Sequence, residues 1–264
     1  MGFHWYPVWL VPALLERWEW ALPVSGYVIL ALVLFVGGAM KGATGIGLPI
    51  IAVPVLAAYF DLHFAVAVIL LPSLATNGWL VWRYGSERPP GYFLYAIPVG
   101  ALAGIALGVA LLASLPDRLL NLGVAAAIFV FVIFRIARPE WRLSEKAGRV
   151  LSLPAMFLSG LMQGATGISA PIVMMYLSSL RMERGQFIFC VSLVFFVAGV
   201  AQVPAMAVAG LFGPTEMLLS LLALIPSMLG IPAGDRIARA MSVLWFDRVI
   251  MALLVALAIK LAAS

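Results

Sequence analysis

Charged side chains are scarce in this chain: Lys, Arg, Asp and Glu make up 10% of its 264 residues. A soluble domain carries about 25%, so a water-facing globule is excluded. Cysteine is nearly absent. Cys190 alone excludes a disulfide framework and a cysteine-rich metal site. No HExxH occurs, and a Walker A lysine loop is missing, so zinc proteolysis and ATP hydrolysis are not encoded in these residues. The eleven acidic residues are Glu16, Glu19, Asp61, Glu87, Asp117, Glu140, Glu145, Glu183, Glu216, Asp235 and Asp247. All fall in predicted loops or at the ends of apolar runs, which disfavours a carboxylate proton relay and leaves no acid–base pair at depth. The chain is therefore not read as an enzyme, and no catalytic residue, metal site or cofactor is implied.

What is present is apolar. Hydrophobic residues make up 64% of the chain and the mean hydropathy is +1.12. Several runs exceed the roughly 18 residues that argue for a spanning helix. An all-α polytopic membrane protein with little outside the bilayer is expected. Residues 1–23 hold Trp5, Tyr6, Trp9, Trp18 and Trp20. They read as an interfacial helix rather than a cleaved signal peptide, because no basic segment precedes an apolar one.

One stretch occurs twice. MKGATGIGLPI at residues 40–50 returns 122 positions later as MQGATGISAPI, and nine of thirteen positions match between 38–50 and 160–172. Each copy interrupts an apolar run with small residues and then restarts a helix at Pro49 or Pro171, a residue tolerated in a first helical turn. Repeat 1 is read as 24–136, with arms 24–40 and 49–60 and spans 63–82, 92–113 and 119–135. A polar linker, 137–149, leads to repeat 2 over 150–264. Its arms are 150–162 and 171–180, and its spans 186–209, 215–233 and 244–262. The second arms are short for full spans.

The net charge of +5 is not a nucleic-acid signature, since the basic residues sit in short loops. Twelve of the sixteen Lys and Arg lie in the loops that carry Arg83 and Arg88, Arg135 to Arg149, Arg181 and Arg184, and Arg236, Arg239 and Arg248. Placing these in the cytoplasm puts the linker inside and both termini in the periplasm of a bacterial inner membrane. Each half is then a broken, re-entrant helix pair plus three transmembrane helices. The two pairs enter from opposite faces, as inverted-topology repeats. Two thin tilted spans in place of each pair give the same sidedness.

Non-helical backbone at membrane depth must be enclosed by protein or line a wet cavity. Two such breaks point to one shared site. Gly42, Gly45, Gly47, Gly164 and Gly167 permit close backbone approach. The second arms begin at the breaks and aim free N–H groups and positive helix ends inward, which favours an anion. Lys41, Thr44, Gln163, Thr166 and Ser169 add side-chain donors. A lysine at depth costs about 2.5–3.5 kcal/mol, and no core carboxylate is an evident partner for Lys41. Asn77 and Gln202 lie within spans at broadly equivalent places and complete the candidate substrate-binding set. Plainer roles exist for each. The glycines serve helix packing elsewhere, Lys41 offsets a helix end, Ser169 is a possible N-cap, the threonines bond back to their helices, and intramembrane amides often join helices. His4 and His63 read as surface residues.

At the two motifs the chain resembles the TauE/SafE family of membrane permeases, the sulfite exporter family. The resemblance rests on the chain's size, its two related halves and the elements GATGIGLPIIAVP and GATGISAPIVMMY. Ala43, Thr44, Ala165 and Thr166 interrupt the longer glycine run common in the family. It implies export of sulfite or small organosulfonates. The expected function is thus a secondary transporter that exports a small sulfur oxyanion by alternating access, with protons as a candidate coupling ion. Its partners would be that anion and the lipid bilayer, with no nucleic acid. The competing readings are uptake or exchange of another small anion such as a carboxylate, and a non-transporting membrane scaffold.

Overall fold

The computed structural model describes residues 24–44, 48–88, 91–137, 142–180 and 182–240, with 252, 255, 256 and 259 beyond them. The expected interfacial segment 1–23, the last span at 244–262 and residues 138–141 of the linker lie outside the described residues. Among the described residues there are nine α-helices and no strand. They are α1 (Val24–Thr44), α2 (Leu48–Tyr59), α3 (Leu62–Arg83), α4 (Gly91–Ser114) and α5 (Asp117–Ala137). After the linker come α6 (Glu145–Thr166), α7 (Ala170–Ser179), α8 (Arg184–Val208) and α9 (Pro214–Ala240). Five of these contain segments long and apolar enough to cross a bilayer: Val24–Ala43, Leu62–Arg83, Leu94–Ser114, Gly185–Val208 and Pro214–Gly234.

The second expected break is present between α6, which ends at Thr166, and α7, which begins at Ala170; at the first, α1 ends at Thr44 and α2 begins at Leu48, and residues 45–47 between them lie outside the described residues. The 21 residues of α1 and the 12 of α2 reach roughly 32 Å and 18 Å at 1.5 Å per residue. The first arms are longer than the hydropathy pattern suggested. α1 continues past position 40 through Lys41 and Gly42. α6 begins at Glu145, five residues before the expected start, because Ser144 caps it: its side chain accepts from the Ala147 N–H at 3.3 Å. Glu145 in the first turn suits the helix dipole. Lys146 and Arg149, expected in the linker, therefore ride on the first turns of α6.

The short arms lie in the protein core. α2 buries Leu48, Ile50, Ile51, Val53 and Leu56, and α7 buries Val173, Tyr176 and Leu177. That enclosure is what helix ends at membrane depth require. In contrast, α9 exposes Leu218, Leu221, Leu222, Ile225 and Leu229 at helical spacing, a face suited to lipid. Asp61 caps α3 by accepting from the Phe64 N–H at 2.7 Å. His63, expected as a plain surface residue, places Nε2 2.8 Å from the Leu112 carbonyl near the end of α4.

The most extensive helix contacts join the two halves of the chain: α4 with α6, and α1 with α9. Both crossings are built on glycine. A Cβ added at Gly42 would strike the Ile231 carbonyl, and one at Gly38 the Ser227 carbonyl. From the other side, Gly230 and Gly234 face the backbone at Phe35 and Ala39. At the second crossing, Gly104 meets the Phe157 carbonyl and Gly160 the Ala101 carbonyl, while a Cβ on Gly164 would lie 2.7 Å from the Ile105 oxygen. Each crossing thus uses the small-xxx-small pattern that lets membrane helices approach to backbone contact.

A proline shapes α3. Pro72 has no N–H, so the carbonyl four residues earlier, on Val68, loses its intrahelical donor. Ser220 of α9 supplies one, donating to the Val68 oxygen at 2.9 Å. The same hydroxyl accepts from the Leu71 N–H at 3.0 Å.

Candidate functional site

Lys41 stands in the last turn of α1, at the break before α2, and is 3% exposed. Its Nζ donates to Asn77 Oδ1 on α3 at 2.6 Å. Lysine can only donate, so the amide must present its oxygen. The rest of α3 holds it that way: Asn77 Nδ2 donates to the Ser73 carbonyl at 2.7 Å and to Ser73 Oγ at 3.2 Å. Thr76, the next residue back, turns its hydroxyl onto the Pro72 carbonyl at 2.7 Å. No carboxylate partners Lys41 among the described residues; Asn77 takes that place. An ammonium has three N–H groups, and with one used on Asn77, two remain without a partner among the described residues. Lys41 is also the one charged side chain buried among them.

The second half contains a matching arrangement. Gln163 occupies the repeat position of Lys41, near the end of α6, and Gln202 lies on α8 as Asn77 lies on α3. Gln163 Nε2 donates to Gln202 Oε1 at 3.1 Å, and Gln202 Nε2 returns a bond to the Gln163 carbonyl at 3.1 Å. Ser169 Oγ donates to Gln163 Oε1 at 2.8 Å. Ser169 does sit at the N-cap of α7, but its side chain makes no cap hydrogen bond and goes to Gln163 instead. Thr166 does bond back along its helix, to the Met162 carbonyl at 2.7 Å, and accepts from the Ile168 N–H at 3.2 Å.

Among the described candidate glycines, Gly167 is the one whose conformation the second break requires. It ends α6 with φ 70°, a left-handed value that L side chains avoid. Its N–H bonds the Gln163 carbonyl at 2.8 Å. Gly42 and Gly164 lie at the α1–α9 and α4–α6 crossings. Gly45 and Gly47, with the side chain of Thr44, lie outside the described residues.

The structure therefore joins the expected residues into two separate polar pairs, Lys41 with Asn77 and Gln163 with Gln202. Ser73 was missed in the sequence. The signal was its place four residues before Asn77, on the same helix face. Ser220 was missed as well, since its partner is 152 positions away. A buried cation with spare donors, set in a neutral polar surround, can hold an anion through charge-assisted hydrogen bonds.

The family model described as sulfite exporter TauE/SafE matches residues 30–261, nearly the whole chain. No match is found among curated proteins or among solved structures. The chain thus belongs to the sulfite exporter TauE/SafE family, a family of membrane transporters.

Proposed function

We propose that this transporter exports a small sulfur oxyanion, sulfite or an organosulfonate, by alternating access across a bacterial inner membrane. The observation that carries the reading is Lys41: a buried ammonium in the last turn of α1, with two N–H groups left over after Asn77 among the described residues. An anion there would satisfy donors that the described protein atoms do not. Asn77, Gln163, Thr166, Ser169 and Gln202 would give the anion a neutral polar surround, and backbone amides at the breaks would add donors. Gly42 and Gly164 would serve the site by bringing a neighbouring helix against the ends of α1 and α6, Gly167 shapes the turn after α6, and Thr44, Gly45 and Gly47 are candidates on sequence alone.

The division into repeats 24–136 and 150–264, inverted with respect to each other, is part of this reading. Reciprocal packing supports it, because the fourth helix of each half lies on the first helix of the other. Close glycine contacts would keep α1 with α9 and α4 with α6 during the cycle, which places the movement between these pairs. The basic loops face the cytoplasm, together with the linker 137–149. In a Cys190→Ser background, a cysteine replacing exposed Ser86 should resist an impermeant thiol reagent added to intact cells, and one replacing exposed Tyr59 should react; the reverse pattern would overturn the orientation.

Proteoliposome counterflow with sulfite, short alkyl sulfonates and short carboxylates tests the substrate. Saturable flux of sulfite or a sulfonate is expected. Carboxylate flux alone would move the assignment to another anion. No flux of any of these from folded protein would overturn the proposal.

A further inference from the structure

We propose that the Lys41 site selects by ligand charge, taking monoanions such as alkyl sulfonates and bisulfite in preference to dianions such as sulfate. The inference rests on the anion reading above and adds a charge state to it.

The argument is a count of fixed charge. Lys41 is the one charged side chain buried among the described residues. Among the described residues, every other buried polar side chain near the breaks is neutral: Ser73, Thr76 and Asn77 in the first half, Gln163, Thr166 and Ser169 in the second. Where the repeat offers a second chance of a cation, it places Gln163. Among the described residues, the two repeated elements thus carry one buried positive charge between them. A monoanion beside Lys41 makes the buried ensemble neutral. A dianion leaves one negative charge uncompensated beside a residue that is 3% exposed, and a buried charge is costly unless paired. Neutral donors lower this cost but do not cancel it.

The hydrogen bonding points the same way. The Gln163 side-chain oxygen is taken by Ser169, its nitrogen bonds Gln202, and its carbonyl receives both Gly167 N–H and Gln202 Nε2. The second pair is thereby tied largely to itself. The spare charge-assisted donors belong to Lys41. A single sulfonate group, one charge spread over three oxygens, matches an ammonium with two N–H groups left without a partner among the described residues. For sulfite, which exchanges with bisulfite near neutral pH, the transported species is then bisulfite. The proton travels on the substrate, and no carboxylate relay is needed.

Methanesulfonate and sulfate test this as a matched pair, being alike in tetrahedral shape and differing in charge throughout the neutral range. Binding is read as ligand-induced thermal stabilisation of the full-length purified chain, and flux as counterflow in proteoliposomes. Methanesulfonate should bind at least about tenfold more tightly than sulfate, a gap of about 1.4 kcal/mol. Lys41→Arg should keep that preference and Lys41→Met should lose methanesulfonate binding. Equal or tighter sulfate binding in the wild type, lost in Lys41→Met, overturns the charge selection and leaves the anion site standing. Binding of neither ion, nor of sulfite, by folded wild type overturns the anion site itself. Should Lys41→Met fail to fold, the wild-type comparison still decides the preference.

Discussion

Lys41 and Asn77, 36 positions apart, meet in the core with Nζ 2.6 Å from Oδ1. Asn77 is fully buried and its own amide nitrogen is anchored on Ser73. The pair joins the end of α1 to α3, and it fixes where the one buried cation among the described residues points.

Removing Asn77 leaves that cation without its protein partner. Asn77→Leu should destabilise the protein by about 1.5–3 kcal/mol, the range for a hydrogen bond to a charged group. Adding Lys41→Met should recover much of the loss, because two apolar groups leave nothing unpaired. Thermal unfolding in detergent reads both. Additive losses in the double variant would contradict the coupling.

Gln163 and Gln202 exchange two hydrogen bonds, so their substitutions should not add. Gln163→Leu and Gln202→Leu are each expected to cost about 1–3 kcal/mol, the desolvation penalty of the partner left behind. The double variant should cost less than the sum by at least about 0.5 kcal/mol. A double-mutant cycle measures the difference. Zero coupling energy would mean that the two amides act independently.

Glycine to alanine discriminates crossing positions from spectators. Gly104→Ala puts a methyl into the Phe157 carbonyl and should reduce the yield of monodisperse protein sharply. Gly123→Ala meets no atom within 4 Å, and the better helix propensity of alanine should leave stability unchanged or raised by up to about 1 kcal/mol. Equal behaviour of the two variants on size-exclusion chromatography would contradict the packing.

Ser220 matters because of Pro72. Ser220→Ala strips the Val68 carbonyl of its donor and should cost about 1 kcal/mol. Pro72→Ala restores an N–H within α3 that can reach the same carbonyl, so Ser220→Ala should cost less in that background. Thermal unfolding of the four proteins checks this; an undiminished cost would show that the hydroxyl serves some other group.

Much of this was legible in the sequence, and for definite reasons. Long apolar runs marked the five spans described, and the repeated GATGI element marked the break after α6, because glycine and proline act locally on the backbone. Lys41, Asn77, Gln163 and Gln202 stood out because polar side chains are rare in apolar runs. Which of them touch did not follow, since that depends on how α1 crosses α3 and α6 crosses α8. The role of Gly42 and Gly164 at the crossings was likewise ambiguous. A glycine in a helix gives the same sequence signal whether a ligand or a neighbouring helix approaches it. The true start of α6 was hidden by its charged residues, Glu145, Lys146 and Arg149, which look like loop until Ser144 is recognised as a cap. Ser220 gave no signal at all, because its partner is a backbone carbonyl in another helix.

The most direct measurement is sulfite counterflow in proteoliposomes with wild type, Lys41→Arg and Lys41→Met side by side. Saturable flux in the wild type, retained in part by Lys41→Arg and lost by at least about 100-fold in a folded Lys41→Met, is expected if the buried ammonium holds the anion; this corresponds to about 2.7 kcal/mol. Undiminished flux in Lys41→Met would place the anion elsewhere and contradict the assignment.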